Sequence, residues 1–267
     1  MSFQPVIPSG GLAGWSFLKS TMASQRNTFD AGARISSDTA YFEANIASIR
    51  SAEDLVADRR LLRVALGAFG LSGDIDSRFL IRRVLEDGVT RDDALANRLT
   101  DARYKDLAGA FGFDAPDGPR SRDPEFGARL AEQFRRRSFE VAVGKSDDGL
   151  RLALNADREL TRLGSDSGPG DTGWFRIMGT PPLRKVFETA LSLPDGIAKL
   201  DLDKQLELFK DRAASRLGLT DLSDLSDQAT RSKLVETFLL QDQIKSFSRQ
   251  SPAATALTLL QAIPPRG

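Results

Sequence analysis

The stretch LLRVALGAFGL, Leu61 to Leu71, carries apolar residues at helical spacing and then stops at a glycine. Its last part, GAFG at 67–70, returns at 109–112 in YKDLAGAFGF. A glycine-flanked aromatic can be a binding motif, a phosphate-contacting turn or the end of a helix. Helices commonly finish with a glycine in the left-handed conformation, after which an apolar residue folds back over the residue four or five positions before that glycine. Gly70 with Leu71 over Leu66 fits this pattern, as do Gly88 with Val89 over Val84, Gly112 with Phe113 over Leu107, and Gly218 with Leu219 over Ala213 or Ala214. Four such stops make GAFG helix punctuation rather than a binding motif. Alanine at Gly70 or Gly112 is then expected to destabilise the fold by about 1 kcal/mol.

Outward from these stops the spacing stays helical. Phe126, Leu130, Phe134 and Val141 form one stripe, Leu202, Leu206, Phe209, Ala213 and Leu217 another, and Leu234, Val235, Phe238 and Leu239 a third. Start signals alternate with the stops: Thr90 before Asp92 and Asp93, Asp101 before ARYKDLAGAF, and Asp123-Pro124. No stretch alternates as a strand does, so the expected fold is all-α, multi-helical, elongated or two-lobed, with no significant sheet. Pro, Gly, Ser and Asp enrich 115–124 and 164–173. The second is the better boundary, which divides the chain into an N-terminal amphipathic segment (1–39), a helical lobe (40–163), a linker (164–173), a second lobe (174–250) and a C-terminal segment (251–267). An echo of LLRVALGAFGL in LRKVFETALSL at 183–193 is compatible with internal duplication.

Composition closes many functions. The 267 residues contain no cysteine and no histidine. Disulfides, thiolate nucleophiles, Cys- or His-ligated metals and histidine-activated serines are therefore excluded. No cofactor is expected. Thirty-seven basic residues balance thirty-seven acidic ones, without the basic excess of a nucleic-acid binder. No apolar run approaches the roughly 18 residues of a spanning helix, and MSFQPVIPSGG does not resemble a cleaved leader. Neither nucleic-acid binding nor membrane insertion is expected.

The motifs that remain have plain readings. Gly168 to Gly173 fits GxGxxG, but no strand precedes it. Ser16-Phe17-Leu18-Lys19 fits SxxK without the KTG partner. Acidic residues at 201–211 and 221–227 lack the order of a calcium loop and read as a solvated face and helix caps. A helical peptidoglycan hydrolase working with one glutamate is the enzyme alternative, with Glu43 or Glu188, each beside aromatic residues, as its acid. A small-molecule-binding regulator is another, and would need a ligand-sized apolar pocket. The arginine groups 59–60, 82–83 and 135–137 lie beside carboxylates and read as ion pairs along helices.

Both ends are more suggestive. Leu12, Trp15, Leu18 or Lys19, Met22 and Phe29 make an amphipathic lead segment, and PAATALTLLQAI at 252–263 is apolar and uncharged. Leu12, Trp15, Met22, Leu257 and Leu260 are the candidate partner contacts, unless these ends dock on the protein's own core.

The runs AYFEANIASIRSAEDLVADRRLLRVALGAFGL, NRLTDARYKDLAGAFGF and WFRIMGTPPLRKVFETALSLP, with LDLDKQLELFKDRA, resemble an alphaproteobacterial family, domain-of-unknown-function family 1217. Members are commonly encoded among flagellar genes, so the resemblance implies a flagellum-associated role and assigns no activity or site residues. Flagellar export needs no cleaved leader, and axial proteins that travel by it tend to lack cysteine and assemble through terminal helices. The heavily charged middle, with its many helix stops, reads instead as a globular body. The expectation is thus a non-enzymatic interaction or structural protein of the flagellum. It is either cytoplasmic or exported by the flagellar route, with a protein partner and an oligomeric state left open.

Overall fold

The computed structural model describes residues 3–165, 168 and 170–250. Among these the fold is all-α, thirteen α-helices with short 3₁₀ turns and no strand. The described residues divide into two compact units. The first takes its residues from Met1–Ile7, Phe17–Arg151 and Met178–Pro181, the second from Pro8–Ser16, Leu152–Ile177 and the chain from Pro182 onward.

In the first unit, α1 (Gly11–Asp30) buries Leu18, Gln25 and Phe29, the first two about two helical turns apart and the last two about one turn apart. Gln25 is a polar residue on that face, and its amide closes a pair of hydrogen bonds on the backbone of Val6, at 2.7 and 3.2 Å. The helices α2 (Ala33–Asn45), α3 (Ala52–Ala57), α4 (Arg59–Phe69) and α5 (Arg78–Asp87) follow. A capping box of Ser51 and Asp54 opens α3, and the Asp58 carboxylate caps α4 by accepting from the Arg60 and Leu61 amides. The helices α6 (Leu95–Arg98), α7 (Ala102–Phe111) and α8 (Phe126–Gly144) complete the unit. α4 lies at its centre, packed against α8 and α2, around Phe42, Leu62, Leu66, Phe111 and Phe126.

The second unit contains most of α9 (Asp148–Ser165), then α10 (Thr172–Met178), α11 (Pro181–Ala190), α12 (Leu202–Leu217) and α13 (Gln228–Gln250). Trp174 meets Phe187 edge-on at 6.1 Å, and Phe209 and Phe238 are fully buried. At Gly164 the backbone of α9 closes on residues 225–226: a Cβ there would stand 2.4 Å from the Leu225 carbonyl carbon, and Ser226 Oγ donates to the Gly164 carbonyl at 2.7 Å.

Three local expectations are corrected. Thr90 does not open a helix: its hydroxyl donates to Asp114 at 2.7 Å, the same carboxylate takes the Val89 and Thr90 amides, and α6 starts only at Leu95. Val141 faces water at 54 % exposure because the buried face of α8 drifts to Phe139, Ala142 and Val143. Leu202 is likewise exposed, its expected place on the inner face of α12 being taken by the buried Gln205.

Candidate functional site

A buried carboxylate of the first unit gathers a cluster of charged and polar side chains around it. Asp38, nearly buried, stands between Arg60 at 3.6 Å and Arg63 at 3.3 Å. The Arg60 guanidinium lies 4.1 Å over the ring of Tyr41, whose hydroxyl donates to Asp58 at 2.7 Å. Burial opposes ionisation of Asp58, but hydrogen bonds from Tyr41 and from the Leu61 and Arg60 amides hold its carboxyl below the usual carboxylate range. The same bond pushes the Tyr41 hydroxyl above its ordinary value. An open groove of about 720 Å³ runs past Ser48, Asp54, Asp58, Arg59 and Arg60. Its charges are spent inside the chain: Asp54 caps α3, Asp58 caps α4, Arg59 pairs with Asp76 at 2.8 Å and Arg60 with Asp38 and Ser37. This cluster fixes α2 against α4.

The arginine groups read from the sequence are also paired. Arg82 and Arg83 meet Glu86 and Asp87 one turn on, and Glu132 receives Arg26, Arg135 and Arg136. Glu43 lies 3.4 Å from Arg135, and Glu188 lies 2.7 Å from Arg184, which also donates to Gln205. Each glutamate thus faces an arginine at ion-pair distance. Among the described residues no three acidic side chains gather as metal ligands, and no helix is long and apolar enough to cross a membrane.

The four glycines close helices. Gly70, Gly112 and Gly218 are left-handed at the ends of α4, α7 and α12, with φ of 73°, 59° and 72°. After Gly70 the Leu71 amide returns to the Leu66 carbonyl at 2.8 Å. Gly88 ends α5 at φ 64° and ψ −145°, a region open only to glycine, and a Cβ there would fall 1.8 Å from the Asp114 carboxyl carbon. Of the candidate partner contacts, Trp15 is buried, Met22 is half-buried and Leu12 is 37 % exposed. Leu257 and Leu260 lie outside the described residues.

The surface that stands out belongs to α13. Leu234, Val235, Phe238 and Leu239 are buried, whereas Leu240, Ile244 and Phe247 are exposed by 45, 49 and 66 %. At about 100° per residue the two sets point to opposite sides of the helix. The inner face is the one read from the sequence; the outer one was missed, although its i, i+4, i+7 spacing is plain once the helix is followed past Leu239. Gly11, next to Leu12, approaches this end of α13, where a Cβ would meet the Gln243 side chain at 2.6 Å. The three outer side chains leave roughly 300 to 400 Å² of apolar surface in water, the size of the largest such patch on an ordinary protein.

A family model described as a protein of unknown function, DUF1217, matches residues 68–230. The chain belongs to this family. A crystal structure of an Agrobacterium tumefaciens protein, solved by a structural genomics consortium, is similar to it with a TM-score of 0.72 and 24 % identity, over 94 % of this chain and 100 % of that one. At that identity the likeness concerns the fold. No match was found among curated proteins. The family match spans the helices from the end of α4 to the start of α13 and stops short of the outer face at 240–247.

Proposed function

We propose that this protein acts by holding another protein, as a non-enzymatic assembly factor or structural component of the bacterial flagellum. The observation that carries the binding role is the second apolar face of α13, Leu240, Ile244 and Phe247, turned away from the core that the same helix helps to build. A helix apolar on two opposite sides ordinarily has both covered. The flagellar setting is the one that family resemblance implies, and a chain without cysteine suits passage through the flagellar export route. The hydrolase alternative needs a carboxyl in an apolar pocket, and both of its candidates sit beside an arginine.

The test follows the protein in a motile host, in cytoplasm, medium and purified hook–basal bodies, with and without flagellar export. A photoreactive amino acid at position 240 reports what touches the face. The expected result is a crosslink to one flagellar protein, reduced swimming in the Leu240→Asp/Ile244→Asp variant, and unchanged cell-wall turnover in Glu43→Gln and Glu188→Gln. Normal motility with no crosslink would remove the interaction reading. Export-dependent appearance outside the cytoplasm selects the structural component, and strict retention selects the assembly factor.

A further inference from the structure

The last two turns of α1 hold a donor and an acceptor that are both out of water and, among the described residues, both without a hydrogen-bond partner: Arg26 Nε and Asp30 Oδ1. The two residues stand four positions apart on one helix, the spacing at which side chains meet. Arg26 nonetheless reaches across to α8, where its Nη2 lies 3.1 Å from Glu132 Oε1. Glu132 also takes Arg135 at 3.4 Å and Arg136 at 2.8 Å. Arg135 goes on to α2, to Glu43 at 3.4 Å and to the Thr39 hydroxyl at 3.1 Å. Three arginines thus converge on Glu132 and Glu43, and among the described residues none of them forms an ion pair with Asp30.

This arrangement disfavours a charge on Asp30. A carboxylate in the last turn of a helix faces the negative end of the helix dipole, and α1 has no basic residue in that turn. Burial pushes the Asp30 carboxyl above its ordinary value, Arg26 pulls it back, Glu132 adds to the rise and Arg135 opposes it. Glu132 behaves in the opposite way: burial works against its ionisation, but the bonds from Arg136 and Arg26 hold its carboxyl below the ordinary value. Arg26 therefore has two carboxylates to choose from, and only the one on α8 ties two helices together. With α1 docked, Phe29 meets Phe139 of α8 edge-on at 5.6 Å and Leu18 is fully buried.

We propose that Arg26 is a two-position latch for residues 17–30 of α1: paired with Glu132 it holds the helix on α8, and paired with Asp30 it lets the helix lift and bares Leu18, Phe29 and the Phe139 ring. An ionised Asp30 competes for Arg26, and a protonated one does not. A carboxyl whose docked-state pKa is raised contributes to docking fully below its ordinary value near pH 4, and loses that contribution as pH rises through the raised one. Glu132 stays ionised across this window, so mild acid closes the latch and neutral pH eases it. The surface that α1 gates is separate from the outer face of α13 and does not depend on it.

Hydrogen exchange of the backbone amides of 17–30, followed by mass spectrometry in the full-length protein and corrected for the intrinsic pH dependence of exchange, tests the latch. Asp30→Asn removes the competitor and should slow exchange of these amides several-fold at about pH 7, up to roughly tenfold for each unit by which the carboxyl is raised, with α4 unchanged. The unaltered protein should gain the same protection on going from about pH 7 to about pH 5, and Asp30→Asn should gain none. Glu132→Gln should speed exchange of the same amides. Exchange in Asp30→Asn as fast as in the unaltered protein would overturn the proposal. So would a pH dependence that survives in Asp30→Asn, or unchanged exchange in Glu132→Gln. Should Asp30→Asn fail to fold, the side-chain carboxyl carbon of Asp30 in the unaltered protein decides by NMR titration: a midpoint above about 4 is expected, and one at or below it refutes the latch.

Discussion

The two copies of GAFG are identical in sequence and unlike in what they ask of their surroundings. In the first, Gly67 admits the ring of Phe134, where a Cβ would stand 2.6 Å from two ring carbons. In the second, the matching Gly109 has Val89 at 3.8 Å, an ordinary contact. The aromatic residues differ in the opposite sense: Phe111 is fully buried, stacked on Phe113 at 5.5 Å and edge-on to Phe126 at 5.1 Å, while Phe69 keeps 6 % of its surface in water. Only the last glycine plays one part in both, closing a helix at positive φ. A four-residue motif therefore specifies where a helix ends, and the elements packed against it decide what each residue is worth.

The largest effect expected from this comparison belongs to the rings. Phe111→Ala should cost about 3–5 kcal/mol by chemical denaturation, and Phe69→Ala less by roughly the 0.5–1.5 kcal/mol that aromatic pairing adds. Equal losses would mean that the ring pairs contribute nothing beyond burial. Next comes Gly67→Ala, where overpacking against Phe134 outweighs the better helix propensity of alanine for a net loss of about 2 kcal/mol. A neutral result would show that Phe134 can swing aside. Gly70→Ala and Gly112→Ala should each cost about 1 kcal/mol through the strained φ, with Gly70 slightly the more sensitive because the new methyl meets Arg137 Nη1 at 2.9 Å. Gly109→Ala should reverse the sign and stabilise by about 0.5 kcal/mol, visible as a higher denaturation midpoint.

The smallest effect concerns acid. Burial works against ionisation of Asp114, just past the second copy, but hydrogen bonds from Thr90 and from the Val89 amide hold its carboxyl below the usual range. A carboxyl with a depressed folded-state pKa contributes stability above its unfolded value, near pH 4, and loses it as pH falls through the folded one. Stability should therefore decline below about pH 4, and Asp114→Asn should be less stable at neutral pH with a shallower acid limb. An acid limb identical to that of the unaltered protein would show that this carboxylate does not couple to folding.

How much of this was legible varies with distance along the chain. The all-α fold is readable because its signals are local: apolar residues at i, i+3 and i+4, Asp101 just before its helix, and glycines with an apolar follower just after. Thr90 was misread because its partner Asp114 lies 24 residues further on. Val141 and Leu202 were assigned inward by spacing alone, and only the neighbours of α8 and α12 reveal that these positions meet water. The outer face of α13 was legible in principle. The stripe read from the sequence stops at Leu239, and Leu240, Ile244 and Phe247 lie beyond it on the opposite side of the helix.

The first unit takes in residues 178–181 from well beyond its main run, and the Ala102 amide donates to the Gly179 carbonyl at 2.8 Å. Fragments cut at 151 or 177 would leave that donor without its acceptor, and the second unit would lose residues 8–16 in any piece starting after them. Dissecting the molecule by truncation would therefore produce two incomplete parts. A circular permutant, or a break that keeps both pieces in one tube for reassembly, is the route to studying either unit by itself.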